Sequence, residues 1–192
     1  KRQAPRKSQP GTNGDSGYYE IELKILADVG LVGLPNAGKS TLLSVISSAR
    51  PKVADYPFTT LEPQLGIVKY GDYSSFVMAD IPGLIKGASD GKGLGHKFLK
   101  HIERNRIHIY LIDCQDPKPV ETFKILKNEL KVFNEKLVDK PYLICRTKSD
   151  LNIENPDGWG RFNEKIFDIS SVNKNGLDLL VNSVASLLKN IK

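Results

Sequence analysis

The run Gly33-Leu34-Pro35-Asn36-Ala37-Gly38-Lys39-Ser40 constrains this chain more than any other feature, because it matches the spacing GxxxxGK[ST] in full and directly follows an apolar stretch ending near Val32. Its glycines let the backbone turn so that successive N–H groups converge on phosphate oxygens. A helix starting near Lys39 then presents its positive end to the same point. Lys39 is placed to reach the terminal phosphates and the Ser40 hydroxyl to ligate Mg²⁺, with the phosphate-binding run continuing through Thr41.

The rest of the chain supplies a frame for such a loop. Six apolar runs have strand character: Ile21 to Val32, Leu65 to Tyr70, Ser75 to Ala79, Ile107 to Ile112, Tyr142 to Cys145 and Ile166 to Ile169. Between and after them, Phe123, Leu126, Leu130, Phe133 and Leu137 recur at helical spacing, as do Leu177, Leu180, Val181, Val184, Leu187, Leu188 and Ile191. Strands separated by helices of this length predict βαβ crossovers, hence an α/β fold with a mostly parallel six-stranded sheet and helices on both faces. The runs at Leu65 to Tyr70 and Ser75 to Ala79 are separated only by Gly71-Asp72-Tyr73-Ser74 and predict an antiparallel hairpin.

Composition sets the class. With 192 residues, 40% hydrophobic and 26% charged, the chain can bury one substantial core, which excludes wholesale disorder, a collagen-like repeat and a disulfide scaffold. Cys114 and Cys145 lie inside apolar runs and read as reduced core thiols, which fits a cytoplasmic compartment. The longest apolar stretch, Ile25 to Leu34, contains Asp28 and falls short of the roughly 20 residues a spanning helix needs. No membrane segment or secretory signal is therefore expected. The formal charge is +6, of which Lys1, Arg2, Arg6 and Lys7 against Asp15 account for +3. Residues 1–17 are rich in Pro, Gly, Ser and charge and read as a basic flexible linker, with residues 18–192 as the folded domain. A chain that opens on lysine rather than methionine suggests that a segment upstream has been removed.

Downstream motifs narrow the nucleotide chemistry. Asp80-Ile81-Pro82-Gly83 follows the run SSFVMAD, so Asp80 is expected at the carboxyl end of a strand, where ligands bind in such sheets and where it can hold Mg²⁺ through a water. Gly83 is then positioned for its N–H to sense a γ-phosphate. The same DxxG pattern recurs at Asp90-Gly91-Lys92-Gly93 without a preceding strand, and there it reads as a loop. The segment Tyr56-Pro57-Phe58-Thr59-Thr60-Leu61-Glu62-Pro63 is bracketed by prolines and can carry a hydroxyl to Mg²⁺ when triphosphate is bound.

Thr147-Lys148-Ser149-Asp150 follows the buried run Pro141 to Cys145. A carboxylate at Asp150 can accept the N1–H and exocyclic amine of guanine, donors that adenine does not present in that arrangement. Lys148 can lay its stem over the base plane. Ser170-Ser171-Val172, after KIFDIS, can bring backbone N–H groups to the guanine carbonyl. Read singly, these segments are equally a solvated turn and a helix cap; their order after successive strands makes the set specify a guanine-nucleotide domain.

Three longer segments, ADVGLVGLPNAGKSTLL at Ala27 to Leu43, YPFTTLEPQLGIV at Tyr56 to Val68 and DIPGLIKGASDGKGLGHKFLKHIERN at Asp80 to Asn105, resemble the Obg family of GTPases. The resemblance implies a Ras-like P-loop NTPase fold and Mg²⁺-dependent hydrolysis of GTP to GDP. It places the switch I magnesium ligand at Thr60, with Thr59 adjacent. It also implies a switch in assembly of the large ribosomal subunit and in growth or stress control. Family members carry a glycine-rich domain ahead of the GTPase domain, and residues 1–17 resemble its tail. Partners implied are GTP, GDP and the large subunit or its RNA, contacted mainly through that upstream domain, with the chain itself a monomer.

Three departures bear on mechanism. Thr147 stands where most GTPases have Asn, which weakens one contact between the base loop and the phosphate loop. Leu84 follows Gly83 where Ras-like enzymes place a water-orienting glutamine. Lys86 stands where relatives usually have an acidic residue, and no role is carried to it. With Phe58 two residues before Thr60, no arginine is supplied there either, so intrinsic turnover on the order of 10⁻⁴ to 10⁻³ s⁻¹ is expected. Asn36 is a candidate ligand for K⁺ beside the phosphates, a cation that would supply the missing positive charge. Two alternative readings compete: an RNA- or ribosome-binding module with structural nucleotide, resting on the basic tail and the Lys/Arg of residues 97–106, and an ATP-hydrolysing relative, against which Asp150 argues. His96, His101 and His108 lack metal-ligand spacing and are assigned no site, and Trp159 reads as a loop anchor.

Overall fold

A central strand of five consecutive buried residues, β1 (Val29–Gly33), organises the sheet, as expected for a strand covered on both faces. The structure, a computed structural model, describes residues 10–19, 27–53, 63–80, 105–151 and 158–191. Around β1 lie α1 (Lys39–Ile46), β2 (Lys52–Val53), β3 (Gln64–Tyr70), β4 (Ser74–Asp80), β5 (Ile107–Asp113), α2 (Pro119–Phe133), β6 (Tyr142–Thr147), β7 (Ile166–Asp168) and α3 (Leu177–Asn190). The sheet order is β2-β3-β4-β1-β5-β6-β7. The β1–β4, β1–β5, β5–β6 and β6–β7 pairs are parallel, and β3 is antiparallel to both β2 and β4.

The expected sheet is present with one addition. Six strands match the six apolar runs, and the seventh, β2, is a two-residue edge piece too short to leave a periodic signal. The first strand covers only the end of the expected run: Ala27 and Asp28 precede it, and residues 20–26 lie outside the described residues. The hairpin forms as predicted, with β3 and β4 in register from Gln64↔Asp80 to Tyr70↔Ser74. The first helical stripe divides in two. Helix α2 ends at Phe133, the Asn134 side chain accepts from the Lys136 N–H, and Leu137 reaches the core from a separate 3₁₀ turn.

Period-two alternation along the strands sends side chains to two cores. Val29, Leu31, Ile107, Ile109 and Leu111 pack with Leu42 and Leu43 of α1 and Leu180, Val184 and Leu188 of α3. Val32, Tyr110, Ile112 and Ile144 face the other way, onto Phe123, Leu126 and Leu130 of α2 and onto Trp159. Helices therefore cover both faces. Cys114 and Cys145 are buried and unpaired, as the apolar runs implied. Among the described residues, no helix is long and apolar enough to cross a membrane. Residues 10–19 are exposed and carry no regular secondary structure.

The parallel register decides where function can sit. Because Leu31 pairs with Asp80, Gly33 with Leu111 and Asp113 with Thr147, the carboxyl ends of β1, β4, β5 and β6 open onto one edge of the sheet. That edge is where ligands bind in doubly wound sheets.

Candidate nucleotide site

The phosphate loop is shaped by backbone geometry at Gly33 and Gly38. A Cβ on Gly33 would stand 2.6 Å from the Leu111 carbonyl oxygen, so β1 can turn out of the sheet against β5 only without a side chain there. Gly38 has φ 90, a left-handed conformation that glycine enters freely, and it caps the start of α1. Asn36 also has positive φ, at 64. The first turn of α1 carries no acidic side chain, leaving its positive end free to attract an anion.

Lys39 folds back over this loop, its ammonium donating to the carbonyls of Gly33 and Leu34, each at 3.0 Å. Burial holds the Lys39 ammonium below the usual lysine range, while the Asp80 carboxylate pulls it upward. The Ser40 hydroxyl donates to Asp80 Oδ2 at 2.5 Å, bridging α1 and the end of β4. Asp80 is only 5% exposed, and its Oδ1 has no hydrogen-bond partner among the described residues. A buried carboxylate oxygen without a donor is costly, and a hydroxyl beside it completes a hard-oxygen pair of the type that suits Mg²⁺. The residues present therefore fit that ion.

Residues 147–150, the expected base loop, adjoin the phosphate loop at the same sheet edge. A Cβ on Gly38 would lie 4.0 Å from Thr147 Cβ, so the two loops adjoin. Thr147 is buried and directs its hydroxyl to the Ile112 carbonyl at 3.2 Å. Lys148 sits at φ 56 with its ammonium 2.6 Å from Asp113 Oδ2. Asp150 is half-buried, and its Oδ1 accepts the Ser170 hydroxyl at 2.6 Å. Ser170, fully buried, also accepts the Asn173 N–H at 3.1 Å.

One detail departs from the expected role of Ser170-Ser171-Val172. The Ser170 N–H is already bonded to the Asn175 carbonyl at 3.0 Å, so this residue serves through its hydroxyl, and the backbone N–H groups left to meet a base are those of Ser171 and Val172. Val172 is exposed. Sequence reasoning also missed Asp113. The signal was present, since Asp113 closes the apolar run of β5 as Asp80 closes that of β4, but nothing in the sequence pairs it with Lys148.

Other expected site residues, Phe58, Thr59, Thr60, Leu61, Glu62, Ile81, Pro82 and Gly83, lie outside the described residues, as do His96 and His101. His108 lies in β5, buried; neither ring nitrogen makes a well-formed hydrogen bond among the described residues, and the ring has a polar interaction with the Leu137 backbone. No cluster of potential metal ligands of three or more His, Cys, Asp or Glu occurs among the described residues. Trp159 is buried in a 3₁₀ turn with the Arg146 guanidinium 5.6 Å from its ring, an anchor as expected.

Known proteins share both sequence and fold. The family described as 50S ribosome-binding GTPase matches residues 28–148, more than half of the chain. The GTPase Obg of Thermodesulfovibrio yellowstonii is 51% identical over 189 residues, covering 93% of this chain and 56% of its own length. That of Finegoldia magna is 49% identical over 201 residues, covering 100% and 47%. The chain thus spans about half the length of the curated relatives it matches. In fold, it is similar to the G domain of the FeoB iron transporter of T. maritima, with TM-score 0.61 at 23% identity, over 82% of this chain and 96% of that one. A point variant of Aquifex aeolicus Era bound to GDP and AlF4⁻ gives TM-score 0.60 at 22% identity, over 85% and 57%. With its phosphate loop intact and its sequence aligned over most of its length, the chain belongs to the 50S ribosome-binding GTPase family, as an Obg-type member.

Proposed function

We propose that this domain binds GTP and GDP with Mg²⁺ and hydrolyses GTP slowly to GDP and inorganic phosphate. The observation that carries the reading is the Asp150 carboxylate, fixed by Ser170 at the same sheet edge as the phosphate loop. A preset acceptor of this kind rewards the two donors of guanine and leaves an unpaired polar group with adenine.

The phosphates would lie in the loop from Gly33 to Thr41, with Lys39 leaving the Gly33 and Leu34 carbonyls for phosphate oxygens. Ser40, Thr60 and, through water, Asp80 would hold Mg²⁺. When bound, the ion would neutralise charge on the β- and γ-phosphates. Residues 147–150 would hold the base together with Ser171 and Val172, while Gly83 would report the γ-phosphate. Turnover is slow on this reading because Leu84 cannot polarise water and Phe58 supplies no positive charge. Asn36 is the ligand for a monovalent cation, so faster turnover in K⁺ than in Na⁺ is expected, and equal rates refute that role.

GTP would order residues 56–62 and 81–95, and hydrolysis would release them, making a switch. Trypsin cutting near Lys86 or Lys92 should then be slower with a non-hydrolysable GTP analogue than with GDP. The family description, 50S ribosome-binding GTPase, supports the large ribosomal subunit as the partner of that switch. A role in its assembly and in growth or stress control, with contact mainly through a glycine-rich domain, is the extension that the resemblance to the Obg family suggests. A cytoplasmic monomer fits this role.

The test is displacement of fluorescent GDP by GDP, GTP and ATP with Mg²⁺, for wild type and Asp150→Asn. Guanine nucleotides compete, ATP does not, and the variant loses the preference. Equal competition by ATP would reduce the reading to a general phosphate-loop nucleotidase.

A further inference from the structure

The base loop is held from a direction that its own sequence does not announce. Strand β5 ends at Asp113 opposite Thr147, the last residue of β6. The two residues Asp113 and Cys114 then make three contacts with Thr147 and Lys148. Asp113 Oδ2 accepts the Lys148 ammonium at 2.6 Å. The Cys114 N–H donates to the Thr147 carbonyl at 3.0 Å, and the Cys114 thiol donates to the Lys148 carbonyl at 3.1 Å. Burial pushes this thiol up, with the Asp113 carboxylate beside it adding to the effect, so sulfur keeps the proton it donates.

The clamp is itself fixed before it engages the lysine. Asp113 Oδ1 accepts the Gln115 N–H at 3.0 Å, which sets the carboxylate plane from the turn after β5. Lys148 meanwhile sits at φ 56, a region that a lysine enters only when its surroundings hold it there. Thr147 directs its one hydroxyl proton to the Ile112 carbonyl of β5 and has none left to donate to the phosphate loop. The side chain of Lys148 is therefore oriented by β5.

We infer that Asp113 is a positioning residue for the nucleotide base, acting through Lys148, whose stem it sets across the base face, with Cys114 fixing the backbone beneath. This rests on the guanine-nucleotide reading above. Asp113 does not itself touch the nucleotide, so its loss should be felt only where Lys148 is intact. Both side chains are partly exposed, at 26% and 38%, so the coupling should weaken with salt.

The experiment is a double-mutant cycle on the release rate of fluorescent GDP from the full chain, using Asp113→Asn, which keeps the Gln115 contact, and Lys148→Met, which keeps an unbranched apolar stem without the charge. Each single variant should release GDP about tenfold faster, as expected for losing one charge-assisted hydrogen bond, and the double variant no faster than Lys148→Met alone. Competition by inorganic pyrophosphate, which reads the phosphate loop without a base, should be unchanged in all of them. Should Asp113→Asn fail to fold, Asp113→Glu displaces the carboxylate and should give the same pattern. Additive effects, or equal loss of pyrophosphate binding, would overturn the inference while leaving the guanine reading standing. A wild-type chain that binds no guanine nucleotide sinks both.

Discussion

The Ser170 hydroxyl donates to Asp150 Oδ1 at 2.6 Å, joining the turn after β6 to the turn after β7 across twenty residues of sequence. Ser170 is fully buried and receives the Asn173 N–H in turn, so the carboxylate is oriented by a rigid group rather than by solvent. Preorganisation of this kind lowers the ordering cost of binding.

The first prediction follows from that pair. Ser170→Ala keeps Asp150 and its charge but releases its orientation, so GDP should bind about tenfold more weakly, with a smaller loss of guanine-over-adenine preference than Asp150→Asn causes. Titration of both variants with fluorescent GDP and competing ATP checks this. A Ser170→Ala chain that binds like wild type would mean that Asp150 needs no partner.

The Ser40–Asp80 pair carries a second expectation. Asp80 Oδ1 is buried without a donor among the described residues, and Ser40 supplies the adjacent oxygen, so removing the hydroxyl should strip one ligand from the cation site. Wild-type GDP release should slow on adding Mg²⁺ and speed again with a chelator. In Ser40→Ala, the Mg²⁺ concentration for half-effect should rise by at least about tenfold.

A third concerns Gly33, where a methyl group would stand 2.6 Å from the Leu111 carbonyl oxygen and only 3.2 Å from Ala37 Cβ. Neither neighbour is a flexible side-chain tip that can swing aside. Gly33→Ala should cost roughly 1–3 kcal/mol in urea unfolding of the nucleotide-free chain, because β1 and β5 must separate to admit it.

The fourth is a pH dependence set by His108. Burial, with Lys140 adding to it and the Leu137 backbone opposing only in part, lowers its pKa to about 4 from an ordinary 6.5. The unfolded chain therefore binds a proton that the folded chain refuses, and stability falls as pH drops from 6.5 towards 4, by on the order of 3 kcal/mol in total. His108→Leu removes the group from both states. Its thermal midpoint should fall less than that of wild type between pH 7 and pH 4.5, and parallel curves would assign the acid sensitivity elsewhere.

The phosphate loop, the strand before it and the helix after it were legible in eight residues, because phosphate binding there is backbone chemistry and glycine spacing records backbone conformation directly. The same holds for the hairpin and for both helical stripes, since burial repeats at periods 2 and 3.6. Strand β2 escaped because two residues have no period. The break between α2 and Leu137 escaped because the Asn134 side chain bonds locally, which hydrophobic spacing does not report.

Sequence by itself determined the order of the elements, the spacing of the phosphate loop and the position of the Asp150 carboxylate proposed to select the base, all of them local in the chain. Only the tertiary structure decided which distant groups meet: Ser40 with Asp80, Lys148 with Asp113, and Asp150 with Ser170. Those pairings depend on the parallel register, which brings the carboxyl ends of β1, β4, β5 and β6 to one edge. Register is fixed by the summed packing of two cores on opposite faces of the sheet, a property of the whole fold that no single segment encodes.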